Sequence, residues 1–332
     1  MPNEPVSDSP VALAAWSAPR GEAPPTLSLG TMNFGKRTPS PEAARIVARA
    51  VDLGITLFDT ANAYGDGESE RILGRALRGR RDAVHIATKV GFGRVHGKSE
   101  GLSGARVRAA LDESLARLGT DHVDIYYLHV PDPATPILET LSALKALRNA
   151  GKLLHFGVSN YASWQILEIM TACDALGMPR PVIAQQLYNL LIRQLDLEYF
   201  RFARRHPIHT TVYNALAGGL LSGRYRPGDA IASGSRFEGN RLYQRRYWSD
   251  RFLELTRTYE EVARDEGMSL VELAYAWLAG AASVDSILVG PGSVEHLDAA
   301  AAACTKSVSP EARARIDGIH AAFTGTDTSY AR

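Results

Sequence analysis

One regularity constrains this chain more than any other. From Leu27 onward, short β-branched or aromatic runs alternate with stretches of helical spacing. The strand candidates span residues 27–32, 55–60, 84–90, 123–129, 155–160, 182–189, 209–216 and 286–290. Strands covered on both faces read as such near-continuous apolar runs. The helices between them are punctuated. Ser40 and Pro41 open one, with Ile46, Val47, Ala50 and Val51 as its apolar stripe and Gly54 after its end. Ser103 opens a second, with Val107, Leu111, Leu115 and Leu118 on one face and Gly119 as its stop. Thr135–Pro136 opens a third, with Leu138, Leu141, Leu144 and Leu147 inward. Eight strands alternating with helices over about 275 residues predict an α/β fold, a (β/α)8 TIM barrel. A doubly wound sheet is the alternative, but it normally supplies about six strands.

The barrel domain is expected over residues 26–332. Residues 1–25 carry six prolines and little periodicity, which predicts a flexible lead-in. Two connections break the rhythm, residues 91–102 and 217–250. Both are long for a compact domain, and both follow strands, so both belong on the barrel face where active sites are built.

Composition narrows the classes. Lys plus Arg is 37 against 36 for Asp plus Glu, so a general nucleic-acid binder is disfavoured for want of a basic excess. No apolar run reaches the roughly 18 residues of a membrane helix. The first residues lack the basic and apolar regions of a secretory signal. Cys173 and Cys304 are the only cysteines and lie far apart, which argues against a disulfide framework or a cysteine-rich zinc site. A cytoplasmic enzyme is the expectation, with a small-molecule partner, no nucleic acid and no membrane, as a monomer or homodimer.

In a barrel, polar residues at strand C-termini are the catalytic candidates. They are Asp59 after strand 2, Lys89 near the end of strand 3 and His129 after strand 4, with Tyr64 in the loop beyond Asp59. A lysine pointing into a barrel needs a carboxylate, and Asp59 lies one strand over. A Lys–Asp pair beside a phenol favours the phenolate, so the Tyr64 pKa is expected below its usual 10 or so. A neutral His129 supplies a hydrogen bond at the substrate oxygen. The set describes proton delivery to a carbonyl with Tyr64 as general acid. Each residue alone has a plainer reading: a turn cap, an exposed aromatic, a snorkelling lysine, a satisfied core histidine. GxSxG, HExxH and CxxC are absent, and His129 with Asp132 is a thin metal signal, so no metal is expected.

The strings LFDTANAYGDGESERILGRAL, ATK at Lys89, YLHVPD at His129 and GVSNY at Ser159 resemble the aldo-keto reductase superfamily. The resemblance runs from about Leu27 to Ala302. YNALAGGLLSGRY, RFEGN followed by YQRRYW, and a terminal SYAR are similar to its aflatoxin-aldehyde and succinic-semialdehyde reductase branch. This implies NADPH as cofactor and Asp59, Tyr64, Lys89 and His129 as the catalytic tetrad. It implies Ser159, Asn160 and Gln185 as a clamp on the nicotinamide carboxamide, and Tyr213 as the ring that stacks on the nicotinamide. Asn214, Leu216, Gly218, Gly219, Leu220 and Gly223 match the loop around the pyrophosphate. Gly30, Thr31, Met32 and Asp59 complete the cofactor contacts at the first strands.

Two positions depart from the pattern. Gly292 stands where a phosphate-binding side chain is often found, and Ala300 where many relatives carry an Asn toward adenine. Ser293, the backbone around Gly290 and Arg236 remain as partners of the 2′-phosphate. For the substrate the branch implies Tyr64, His129, Tyr243, Arg246, Trp248 and Arg332, with Arg245 a solvated neighbour. The two cations Arg246 and Arg332 suit an aldehyde bearing a carboxylate. The alternatives are a biosynthetic carbonyl reductase acting on a sugar or polyketide, and a non-catalytic, cofactor-binding regulatory subunit.

Overall fold

Eight of these apolar runs pair side by side into a closed parallel barrel. The computed structural model describes residues 24–95 and 97–325. Nearly all of the expected lead-in therefore lies outside the described residues. The barrel strands are β1 (Thr26–Gly30), β2 (Leu57–Asp59), β3 (His85–Val90), β4 (Val123–Leu128), β5 (Leu153–Ser159), β6 (Ile183–Leu187), β7 (His209–Tyr213) and β8 (Ser286–Val289). β1 closes the ring by pairing with β2 on one side (Gly30 opposite Asp59) and with β8 on the other (Leu27 opposite Ile287). Several strands are shorter than the apolar runs suggest. The flanking apolar residues pack as loop anchors, as Ile55 does before β2.

The helices are α1 (Ser40–Asp52), α2 (Glu68–Ala76), α3 (Gly104–Leu118), α4 (Ile137–Asn149), α5 (Ser163–Leu176), α6 (Tyr199–Arg205), α7 (Arg241–Tyr247), α8 (Asp250–Asp265), α9 (Leu270–Ala279), α10 (Val294–Ala303) and α11 (Pro310–Thr324). Helices α1 to α6 each follow one strand, α7 to α9 all lie between β7 and β8, and α10 and α11 follow β8. Their buried faces and the outer strand faces form one continuous core, while Leu57, Ala87, Ile125, Tyr127 and Ile183 form a second cluster. Among the described residues no helix is long and apolar enough to cross a membrane.

The capping expectations divide. Ser103 accepts from the Arg106 N–H at 3.3 Å, and Gly119 ends α3 in the left-handed region. Ser40, by contrast, is the first residue of α1 and Pro39 its cap, with no side-chain bond. Thr135 also does not cap α4; its hydroxyl donates to Asp132 at 2.7 Å. Leu138 is 52% exposed, against expectation, while Leu141, Leu144 and Leu147 are buried. A spacing of three falls short of the helical period, so such a stripe rotates by about 60° per step and leaves the core face.

The two long connections both follow strands on the C-terminal face. Residues 91–102 contain a small antiparallel hairpin, Arg94–Val95 with Lys98–Ser99. Residues 217–250 begin with a tight 3-10 turn, Ala217–Ser222, and end with α7.

Candidate active site

Asp59 ends β2 and Lys89 lies one residue from the end of β3, so neighbouring strands bring the two side chains together at the barrel mouth. Both are buried, and the Lys89 ammonium donates to Asp59 Oδ1 and, at 2.8 Å, to the Thr60 carbonyl. Asp59 Oδ2 accepts from Gln185 Nε2 at 2.9 Å. Burial pushes the Asp59 carboxyl up and the Lys89 ammonium down, and each partner's charge opposes the shift of the other. A charge pair this deep tolerates the interior because further hydrogen bonds, from Gln185 to the carboxylate and from the ammonium to Thr60, offset the lost hydration.

Tyr64 stands in the turn after β2, with Lys89 Nζ 5.1 Å from its ring centroid. The expected direction of its pKa does not hold. Burial first, then the Asp59 carboxylate, raise it well above the usual 10. The opposing cation is Arg236. The Tyr64 hydroxyl therefore keeps its proton across the physiological range.

His129 follows β4 and lies edge-on to Tyr64, with ring centroids 5.9 Å apart. Burial, helped by the charge of Lys89, holds its pKa well below 6.5, so the ring is neutral. Its buried Nδ1 has no hydrogen-bond partner among the described residues. Asp132 is committed elsewhere, accepting from Leu102 N, Ala134 N and Thr135 Oγ1.

Asn160, just past the end of β5, adopts a left-handed φ of 64°. Its Nδ2 donates to the His129 carbonyl at 2.9 Å and to Ser159 Oγ at 3.1 Å, and its Oδ1 accepts from the Tyr213 hydroxyl at 2.6 Å. Residues expected at the nicotinamide thus also brace His129. Beyond β7, Asn214 Nδ2 donates to the Tyr247 hydroxyl at 2.8 Å, and its Oδ1 accepts from Gly218 N at 3.1 Å. At Gly218 φ is 71°, and a Cβ would sit 2.8 Å from the Tyr243 ring, so only glycine fits. Gly219 and Gly223 share the positive φ. Leu216 is half-buried, but Leu220 is fully buried, so its side chain belongs to the core and only its backbone can face a ligand.

The β1 and β8 ends meet across the site. The Thr31 hydroxyl is buried and bonded to the Asp59 carbonyl and to Ser69, which leaves it structural, while Met32 is half-buried beside it. Gly30 lies against Leu288, where a Cβ would be 3.2 Å from Cγ. Asn33, which the sequence reading passed over, donates to the Gly290 carbonyl at 3.2 Å and accepts from Arg236 Nη2 at 2.6 Å. The Gly292 carbonyl accepts from Thr38 Oγ1 at 3.4 Å. Ser293 caps α10 by accepting from His296 N, and Ala300 is buried in the same helix.

The guanidiniums of Arg236 and Arg246 lie 5.4 and 6.0 Å from the ring centroid of Tyr243, and neither makes an ion pair among the described residues. Burial lifts Tyr213 to about 12 against the pull of the Arg246 charge. Trp248 does not join this group. It packs with Tyr225 and Phe237 at 5.2 and 4.9 Å, inside the long connection's own aromatic cluster. Arg245 is exposed, and Arg332 lies outside the described residues. Two further residues were missed from sequence, Phe92 and Glu100, because a charged residue and an aromatic in a long loop carry no periodic signal.

The chain is similar to known proteins over most of its length. The aldo/keto reductase family model matches residues 26–321. Aflatoxin B1 aldehyde reductase member 2 of Homo sapiens is 37% identical over 294 residues, covering 83% of this chain and 81% of that protein. Aldo-keto reductase family 7 member A3 of Homo sapiens is 33% identical over 293 residues, with 83% and 87% covered. A probable voltage-gated potassium channel subunit beta of Arabidopsis thaliana is 34% identical over 272 residues, with 80% and 83% covered.

Proposed function

Because this chain belongs to the aldo/keto reductase family, we propose that it reduces an aldehyde or ketone to the alcohol with NADPH, Tyr64 delivering the proton. The observation that carries this reading is a phenol held protonated beside a neutral His129 and a buried Lys89–Asp59 pair. A general acid must hold its proton until the carbonyl oxygen gathers charge, and the Tyr64 environment does that. His129 is unprotonated and so orients the oxygen without competing as an acid. Asn160 fixes the backbone from which His129 projects.

The residues present fit a dinucleotide. The positive-φ glycines Gly218, Gly219 and Gly223 let backbone N–H groups approach a pyrophosphate, and Arg236 offers a guanidinium without a carboxylate partner among the described residues. In this reading Ser159, Asn160 and Gln185 take the carboxamide, and Tyr213 the nicotinamide face. When bound, the reduced nicotinamide supplies the hydride. Arg236 and the backbone near Gly290 and Gly292 would receive the 2′-phosphate, with Ser293 contributing only what its capping bond leaves over. Arg246, beside Tyr213 and Tyr243 and without an ion pair among the described residues, favours a substrate with a carboxylate beyond its carbonyl; Arg332 is the second cation of that reading. The cytoplasm suits both cysteines, Cys173 buried and Cys304 half-buried, whose thiols burial pushes up to about 12.

The channel-subunit relative keeps a regulatory, cofactor-binding role as a second reading. One experiment separates the two. The protein is assayed with NADPH and NADH against an aldehyde panel that includes succinic semialdehyde and butanal. Turnover is expected with NADPH, with a lower KM for the acid aldehyde. Tyr64→Phe is expected to lose about 10²–10⁴-fold in kcat while still binding NADPH. Binding without turnover on any aldehyde would favour the regulatory role, and full activity in Tyr64→Phe would end the assignment of the acid.

A further inference from the structure

The segment after β3 is built around a single carboxylate. Glu100 Oε2 accepts from Gly91 N at 2.8 Å and from Gly93 N at 3.1 Å. Its Oε1 accepts from Asn62 Nδ2 at 2.6 Å and from Arg106 Nε at 2.9 Å. The carboxylate is 1% exposed. A Cβ on Gly93 would stand 2.9 Å from Oε2, so the absence of a side chain there is what lets the carboxylate in. Between the two glycines sits Phe92, 52% exposed, its ring centroid 5.2 Å from that of His129. Asn62 lies two residues before Tyr64 in the same turn. One buried side chain therefore joins the segment that carries Tyr64 to the segment that carries Phe92.

We propose that Glu100 is a positioning residue for the carbonyl site: by fixing Gly91–Gly93 it holds Phe92 as a flat apolar wall beside His129, and so selects carbonyls attached to an aryl group over short aliphatic ones. This rests on the carbonyl-reductase reading above. An exposed phenyl ring is costly to hold in water, and a backbone pinned at both flanks keeps it from folding away onto the surface. Only a carboxylate does this work. Four donors converge on two oxygens, and a glutamine would turn its NH2 group toward N–H donors. Arg106 is not left alone by that change, because both of its terminal nitrogens also bind Glu113. Glu113→Gln therefore perturbs the same arginine without touching the loop.

The test compares the full-length wild type with Glu100→Gln, Glu113→Gln, Phe92→Ala and the Glu100→Gln/Phe92→Ala double variant. Benzaldehyde and propanal are the substrates, and hydrogen–deuterium exchange follows residues 91–93. An aromatic contact is worth about 3–10-fold in binding, so Glu100→Gln should raise the benzaldehyde KM by that factor. Its kcat and the propanal KM should change less, and the effect should vanish in the Phe92→Ala background. The Gly91 and Gly93 amides should exchange faster in Glu100→Gln and not in Glu113→Gln. Equal increases for both aldehydes, an effect that persists without Phe92, or unchanged exchange would overturn the proposal. If Glu100→Gln does not fold, Phe92→Ala decides alone: the benzaldehyde KM must rise more than the propanal KM. A wild type inert toward every aldehyde would end the carbonyl-reductase reading and the selectivity with it, while the exchange data would still decide whether Glu100 holds the loop.

Discussion

Lys89 is the side chain on which most else turns. It is fully buried, and its charge is balanced by Asp59 alone among the described acidic groups in hydrogen-bond reach. Lys89→Met removes the partner and leaves a buried carboxylate, a change that costs about 3–5 kcal/mol in comparable pairs. The Lys89→Met/Asp59→Asn double variant should recover part of that loss, because no uncompensated charge remains. Urea denaturation measures both, and a Lys89→Met protein as stable as the wild type would contradict the account. The placement of Asp59, Lys89 and His129 was legible in the sequence, since polar residues at the ends of apolar strands have few places to go. The direction of the Tyr64 shift was not. It depends on how deeply the hydroxyl is buried and on the Asp59 carboxylate facing it, and neither is written in residue order.

At the scale of elements, the connection from Ala217 to Asp250 is the part that sequence described least well. Its glycines announce tight turns, and those turns are present. Trp248 looked like a mouth residue but lies among Tyr225 and Phe237, because an aromatic in a loop is free to build a small core of its own. The barrel strands were legible because an unbroken apolar run stands out from its polar flanks, and a loop offers no such contrast. This connection is tied to the first strand's loop by Arg236 on Asn33, and by Arg37, which donates to the Ser235 carbonyl at 3.4 Å. Arg236→Ala should weaken NADPH by about 10–150-fold, from 1.5–3 kcal/mol for a charged hydrogen bond, and NADH hardly at all. Fluorescence titration of both cofactors checks it. Equal weakening would show that the arginine works through Asn33 and the loop rather than through the extra phosphate.

The whole molecule carries a pH dependence in its interior. His209, buried on β7 beside Ser286, is held at about 4 by desolvation against the pull of Asp285, and His129 lies well below 6.5. Both folded values are below the unfolded one, so the unfolded chain binds protons that the native state refuses. Stability is therefore full above about pH 6.5 and falls as the solution is acidified below it. The urea midpoint should drop between pH 7 and pH 5, less steeply in His209→Asn; equal slopes would remove His209 from the account. The closure of the barrel has a consequence in time as well. Leu27 pairs with Ile287, and Asn33 completes its contacts only when Gly290 arrives. At about 5–20 residues added per second, the first strand waits roughly 10–50 s on the ribosome with one edge open. Through that interval the barrel mouth is unfinished, so a ligand that needs both β1 and β8, as the proposed NADPH would, could stabilise the completed protein but not guide its early assembly.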